Sequence, residues 1–439
     1  MKTHRVRAAL LLMIAACLCA AGTSEGRTGA EEFTVNGLQV ILKSNTANEI
    51  IAVQLYLRGG ALNLTETNQG IESFMFESAM KGSQKYPKDA LNTILDRTAA
   101  GIGSNATRDF TLINLRCLRS DFNQLWDVFT DVVMHPSFVP QDVDLVRQNQ
   151  LLQIRQRKDN PDGYLNDLAT EALYAGHPYR LDPFGVESSI TGITIDQMKR
   201  YHADHLQTSR LLLVVVGNVT RDEMQTKVAA TLGTLPKGEY VPRRPSPVVH
   251  STPSLKVVDR EMPTNYITGR FAAPGPDDPD YYPMTVAMSI LGSRVWEEVR
   301  TKRNLSYAPS AGFSNQFANY GTLYVSAVKP DTTIKVMLAE VKKLQGEPVS
   351  AGDLRDRIAL FLTQYNVRNE TNAAQAQFLA FFELSGQGWQ AGEKFIASIR
   401  KVTADDVRRV ANKYIHNIQF VVLGNPKLID EKTFTARGG

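Results

Sequence analysis

The chain matches itself. "ITIDQMKRYHADHLQTSRLLLVVVGNVT" (Ile193–Thr220) lines up with "VTADDVRRVANKYIHNIQFVVLGNPK" (Val402–Lys427). "LINLRCLRSDFNQLWDVFTDVVMHPSFVPQDVDLVRQ" lines up with "TLYVSAVKPDTTIKVMLAEVKKLQGEPVSAGDLRDRI". Both pairs keep an offset of about 210 residues, so the chain holds two copies of one unit, each obliged to build the same elements in the same order. In the first pair each copy opens on a Thr N-cap, Thr194 or Thr403, followed by Asp196 or Asp405 in the first turn. Gln197 and Asp406 stand at the third position, where a side chain can reach back to the cap. Each helix then leads into an apolar run, LLLVVVGN or QFVVLGN, whose pattern predicts a buried strand.

The rest of each copy reads as strands followed by helices. "LQVILK" and "IIAVQLYL" open the first copy and "YITGRFAA" the second, and hairpin-like strands recur at "DFTLINLRCL" and "GTLYVSAV". Their apolar residues mostly alternate instead of running on, which predicts an antiparallel-rich mixed sheet with helices packed on one face, an α+β fold. The two homologous domains are placed at 33–234 and 256–430, in a clamshell arrangement. Between them "LPKGEYVPRRPSPVVHSTPSL" (Leu235–Leu255) holds Pro236, Pro242, Pro245, Pro247 and Pro253, a density that predicts a stiff, extended linker.

Residues 1–22 are read as an export signal outside the fold. Lys2, Arg5 and Arg7 precede the apolar run Ala8–Ala16, and small residues follow to Gly22. The run is too short for a stop-transfer helix. Two processing sites compete: Ala20-Ala21-Gly22 suits ordinary signal peptidase, and Ile14-Ala15-Ala16-Cys17 resembles a bacterial lipobox that would leave a lipid-anchored Cys17. Either way the expected location is the periplasm or cell envelope, with contact to membrane only through that anchor.

Loss of those three basic residues takes the formal charge from +4 to +1. No basic stripe with interleaved aromatics occurs, so nucleic acid is excluded as a partner class. Cys17 and Cys19 belong to the signal, leaving Cys117 alone. It alternates with Ile113 and Leu115 and reads as a buried thiol, since no Cys/His signature accompanies it.

"GIESFMFESAMKGS" (Gly70–Ser83) reads as a short amphipathic helix closed by Lys81-Gly82. With Gly70 and Phe74 in that frame, "GIGSNATRDFT" (Gly101–Thr111), "GHPYRLDPFGVESSITGIT" (Gly176–Thr194) and "SRVWEEVRTKRNLSYAPSAGF" (Ser293–Phe313) follow in order. On these segments and the duplication, the chain resembles the pitrilysin/insulinase family of zinc peptidases in its short two-domain form. The likeness runs from "VNGLQVILKSN" to "FVVLGNPK". Such peptidases carry an inverted zinc motif, H-x-x-E-H, in the frame G-x-x-H-F-x-E-H-x-x-F-K-G-T. Two imidazoles on one helix face and a distal Glu hold the metal, and the motif Glu activates its water.

Set on this chain, the first His falls on Ser73, the Glu base on Phe76 and the second His on Glu77. The third ligand falls on Gln153, in "VRQNQLLQIRQRKDNP". A hydroxyl, an amide and one carboxylate bind zinc poorly, and Phe76 cannot take a proton from water. Ser73 and Glu77 are expected as solvated or hydrogen-bonded surface residues. The pair His202 and His205, spaced i, i+3, is read as scaffold because the second copy has Ala411 and Tyr414 in those places. No cofactor is expected on this chain, and no peptide hydrolysis by it alone.

The resemblance also points to what is kept. An Arg and a Tyr seven residues apart in the second copy hold the substrate backbone and the oxyanion in such peptidases, and Arg300 and Tyr307 match them in "RTKRNLSY". Read without the resemblance, Arg300 simply ends the helix "SRVWEEVRTK", favouring its C-terminal dipole and pairing with Glu297, and Tyr307 anchors a strand. Members of the family often work as pairs, one chain bearing zinc and the other degenerate, enclosing a chamber for an unfolded peptide. The expected role is therefore a non-catalytic subunit that contributes Arg300 and Tyr307 to a homologous zinc-bearing partner. The alternative is a purely structural or peptide-binding protein that holds extended chains by strand addition, for which "SNATRDFT" resembles the family's edge strand.

Overall fold

The strand-forming segments pair into two sheets whose orders repeat each other. The protein is represented by a computed structural model describing residues 29–435, so the segment expected to be an export signal, Cys17 included, lies outside the described residues. The first sheet holds β1 (Ala30–Val35), β2 (Leu38–Ser44), β3 (Ile50–Arg58), β4 (Gly101–Ala106), β5 (Phe110–Leu118) and β6 (Leu211–Gly217), in the order β1-β2-β6-β3-β5-β4. The second holds β7 (Ser254–Asp259), β8 (Asn265–Ala272), β9 (Ser310–Phe313), β10 (Tyr320–Ala327) and β11 (Gln419–Gly424), in the order β7-β11-β8-β10-β9. Apart from the added β1 hairpin, the two orders are the same. In each sheet one pair is parallel, β2 with β6 and β7 with β11, and every other pair is antiparallel. This is the expected α+β, antiparallel-rich architecture, and both Thr capping boxes form as read: Gln197 N–H donates to Thr194 Oγ1 at 3.2 Å and Asp406 N–H to Thr403 Oγ1 at 3.1 Å.

Each sheet packs its own helices on one face. Leu211, Leu213 and Val215 of β6 and Ile51, Val53, Leu55 and Leu57 of β3 meet the helices of the first half in one core. In the second half Phe420 and Val422 of β11 and Ile267 of β8 do the same. The opposite face of each sheet is covered by a helix from the other half. The Asn372–Leu384 helix lays Ala376, Leu379, Ala380 and Leu384 on Ile41, Tyr56, Leu212, Val214 and Val216. The Pro161–Leu173 helix lays Leu165, Leu168 and Ala169 on Val421 and Leu423. Both stripes follow the i, i+3, i+4 rhythm of a helix face. The exchange explains why β6 and β11 are continuous apolar runs: they are buried on both faces, a situation more usual for parallel sheets. Arg270 of β8 seals one crossing, donating to Thr170 Oγ1 at 2.8 Å and Asn166 Oδ1 at 2.6 Å.

The proline-rich stretch carries no helix or strand up to Pro253 and does not hang free. Thr208 N–H donates to Pro236 O at 3.0 Å and Arg243 Nη2 to Leu62 O at 2.8 Å on the first half. Asn417 Nδ2 donates to His250 O at 2.7 Å on the second. Beside it the halves meet at Asp109, which accepts from Tyr179 Oη and, across the junction, from the Phe317 N–H at 3.1 Å. Burial pushes the Asp109 carboxyl up to about 6, against these hydrogen bonds, which favour the ionised form. A carboxyl raised in the fold adds stability that is full below its unfolded pKa and is lost as pH rises through about 6. Asp109→Asn keeps the acceptor and removes the titration. Thermal unfolding should therefore show wild type gaining up to about 3 kcal/mol on the variant as pH falls from 7 to 4; a difference flat with pH would contradict this.

Candidate functional site

The Ile71–Ala79 helix starts on Gly70 with φ 87, and a Cβ there would lie 2.5 Å from the Gly185 Cα, so only glycine fits. Its sequence suggested one apolar face, yet the helix is buried nearly all round. Phe74, Met75 and Phe76 enter the core beneath β3 and β5, and Arg147, on the Pro140–Asp159 helix, stacks on the Phe74 ring at 4.7 Å. Ser73 is only 6% exposed, which corrects the expected surface position: neighbouring helices and β4 cover the flank that a lone helix would show to water. Glu77 is half-buried and accepts from Ser104 Oγ on β4 at 3.1 Å. Gln153 is exposed on the Pro140–Asp159 helix, while Gln150, one turn earlier, is buried and donates to Phe184 O at 2.6 Å.

These residues do not fit a zinc ion. Ser73, Glu77 and Gln153 offer one carboxylate, already engaged, and no imidazole, and Phe76 is fully buried where a general base would stand. Among the described residues no group of three or more His, Cys, Asp or Glu could hold a metal. His202 and His205 are occupied as scaffold: His202 Nε2 lies 2.8 Å from Val133 O, and the His205 ring stacks on Tyr201 at 3.9 Å. Cys117 is buried, and desolvation pushes its thiol up to about 12, far from a nucleophile's range.

One residue of the same helix carries a role the sequence did not reveal. Glu72 is buried and accepts from Tyr201 Oη at 2.7 Å, from Thr111 Oγ1 and from Arg210 Nη2. Arg210 is 1% exposed and also donates to Arg58 O at 2.8 Å. Burial alone would raise the Glu72 carboxyl, but the Arg210 charge and the three hydrogen bonds outweigh it and hold it below the usual range. The helix is thus pinned to β5, to the Ile195–His205 helix and to the start of β6 by a buried ion pair. Arg210 lies far away in sequence, so no local spacing signals it.

In the second half Arg300 and Tyr307 come together. Arg300 lies in a π-helical turn, Trp296–Thr301, that continues the Tyr281–Val295 helix. Its Nη1 donates to Tyr307 O at 2.5 Å, and its guanidinium lies 4.5 Å from the Trp296 ring and 5.5 Å from the Tyr307 ring. The pairing with Glu297 does not form; the neighbouring Glu298 instead binds Lys302 at 2.7 Å and Arg303. Asn304 makes the return with φ 49, a left-handed conformation Asn tolerates. Tyr307 is 75% exposed and its hydroxyl has no partner among the described residues. A guanidinium held close to two aromatic rings beside a free phenol is a donor pair presented to solvent. It stands just ahead of β9, the unpaired edge of the second sheet, as Glu77 stands against β4, the corresponding edge of the first.

Comparison with known proteins agrees with the fold. Residues 39–183 match the family described as Insulinase (Peptidase family M16), and residues 192–360 match Peptidase M16 inactive domain. The word inactive attaches to the second match, whereas Ser73, Phe76, Glu77 and Gln153 lie in the first. An uncharacterized zinc protease of Mycobacterium tuberculosis is 24% identical over 393 residues, spanning 85% of this chain and 88% of that protein. A probable mitochondrial-processing peptidase subunit beta of Arabidopsis thaliana is 22% identical over 405 residues, spanning 87% and 75%. Among solved structures, a peptidase M16 inactive domain from Pseudomonas fluorescens superposes with a TM-score of 0.83 at 20% identity, covering 90% of this chain and 98% of its own. A protease from Helicobacter pylori gives 0.82 at 18% identity, covering 90% and 99%. With both halves matched in order on the expected fold, the chain belongs to peptidase family M16 in its short two-domain form.

Proposed function

We propose that this chain is the non-catalytic subunit of a heteromeric zinc metallopeptidase that processes or degrades peptides in the bacterial cell envelope. A homologous partner carries the zinc, and this chain supplies Arg300 and Tyr307 to the partner's site. The observation that carries the reading is the contrast between the two halves. All four positions that would hold or serve a metal are replaced, while the Arg300–Tyr307 pair is built, aromatic-supported and open. A guanidinium and a phenol at that place donate to the substrate backbone and to the oxyanion as it forms, which lowers the barrier only where a partner activates the water. The Arabidopsis relative is itself named as a subunit.

A second reading keeps the fold and drops catalysis: β4 and β9 are sheet edges that an extended peptide can join by strand addition. Metal analysis of the purified mature chain tests the shared premise. Zinc content far below one per chain, unchanged by Glu77→Ala, and no cleavage of unfolded peptide are the expected results. One tightly held zinc, lost in Glu77→Ala, would overturn it.

A further inference from the structure

Where the two halves and the proline-rich stretch meet there is a cavity of ≈ 360 Å³. Three guanidinia line it, Arg58 from β3 and Arg243 and Arg244 from the connecting stretch, together with Tyr240. Two carboxylates also line it, and both are engaged. Glu383 accepts from Gln39 Nε2 at 2.7 Å and from the Trp389 N–H at 3.0 Å. Asp109 accepts from Tyr179 and Phe317.

The donors are the groups left over. The Arg244 guanidinium lies over the Phe317 ring, 4.5 Å from its centre, and donates no hydrogen bond among the described residues. The Tyr240 hydroxyl is buried without a partner. Arg58 keeps one firm bond, to Gln39 Oε1 at 2.5 Å, and a long one to Leu211 O at 3.4 Å. Two glycines keep the walls thin. A Cβ on Gly59 would lie 2.4 Å from the Tyr240 hydroxyl, and one on Gly386 would lie 2.3 Å from Arg244 Nη2. The cavity therefore presents unengaged donors and three guanidinia against two carboxylates, Glu383 with both oxygens engaged and Asp109 holding two donors on Oδ1. Its complement is a group with several acceptor oxygens and negative charge.

We infer that this junction cavity binds a small oxyanion, a phosphate or a compact polycarboxylate, through Arg58, Arg244 and the Tyr240 hydroxyl. The ligand would touch β3 of the first half, the connecting stretch, and the Phe317 and Gly386 loops of the second, so that it bridges the two halves. Binding of this kind is charge-assisted and Arg-directed, and Lys would not reproduce its fork geometry.

Isothermal titration of the mature chain with inorganic phosphate, and separately with citrate, tests this at fixed ionic strength in chloride. Saturable binding of at least one of the two, weakened tenfold or more in Arg244→Gln and in Tyr240→Phe, is the expected result. Arg244 is exposed and its removal leaves the core intact, so that variant keeps the test valid if Arg58→Gln fails to fold. Phosphate binding alone identifies the phosphate source, and citrate binding alone the carboxylate source. No saturable heat with either ion, or equal affinity in Arg244→Gln and wild type, would overturn the site.

Discussion

Glu72→Ala should lower folding stability by ~3–5 kcal/mol, the usual cost of leaving one member of a buried ion pair alone. Arg210 would then sit 1% exposed with its counter-charge gone, and Tyr201 and Thr111 would lose their acceptor. Removing both charges together relieves that penalty, so Glu72→Leu with Arg210→Met should recover most of the loss. Urea unfolding followed by the fluorescence of Trp126, which lies in the first half's core, reports the change. The Glu72 carboxyl is depressed in the fold, so its contribution is present above its unfolded pKa and lost as pH falls through the folded value. A loss under about 1 kcal/mol would mean that the ion pair does not pin the helix. This helix keeps the family frame because it is a structural member, fixed by Gly70 at its start, by Glu72 from within and by Phe74 and Phe76 in the core.

Tyr307→Phe should lower the turnover of the reconstituted pair by roughly 10²–10³ while leaving the pair assembled, the usual loss for one oxyanion donor. The substitution keeps the ring that faces Arg300 and removes only a hydroxyl that bonds nothing among the described residues. Arg300→Ala should act in the same direction, with an added local effect, because the guanidinium also ties the π-helical turn to the Tyr307 carbonyl. If the pair is only scaffold, activity would follow the amount of complex, and kcat normalised to complex by size-exclusion chromatography would not change in either variant.

The sequence made the duplication legible because it is written locally. Thr194 and Thr403 cap their helices with the neighbours three residues on, and the β5 and β10 runs keep strict alternation. What it hid are partnerships between the copies. Nothing in "NAAQAQFLAFFEL" says that Leu379 and Ala380 will cover β6 of the other half, because an apolar helix stripe does not name its partner. Ser73 looked like a surface residue for the same reason: its burial comes from elements distant in sequence. For the candidate site, Arg300 and Tyr307 are singled out only by the resemblance, and the structure brings the two together. The Trp296 ring that supports Arg300 had no separate signal beyond its place four residues earlier on the helix.

The most direct measurement is the rate of unfolded-peptide cleavage by the proposed zinc-bearing partner, with and without an equal amount of this chain. This chain alone should be silent with or without added zinc. The proposed partner alone should be weak, and the mixture should gain activity that saturates at a fixed ratio and is lost with Tyr307→Phe. Cleavage by this chain alone, or a partner equally active without it, would rule out the proposed role.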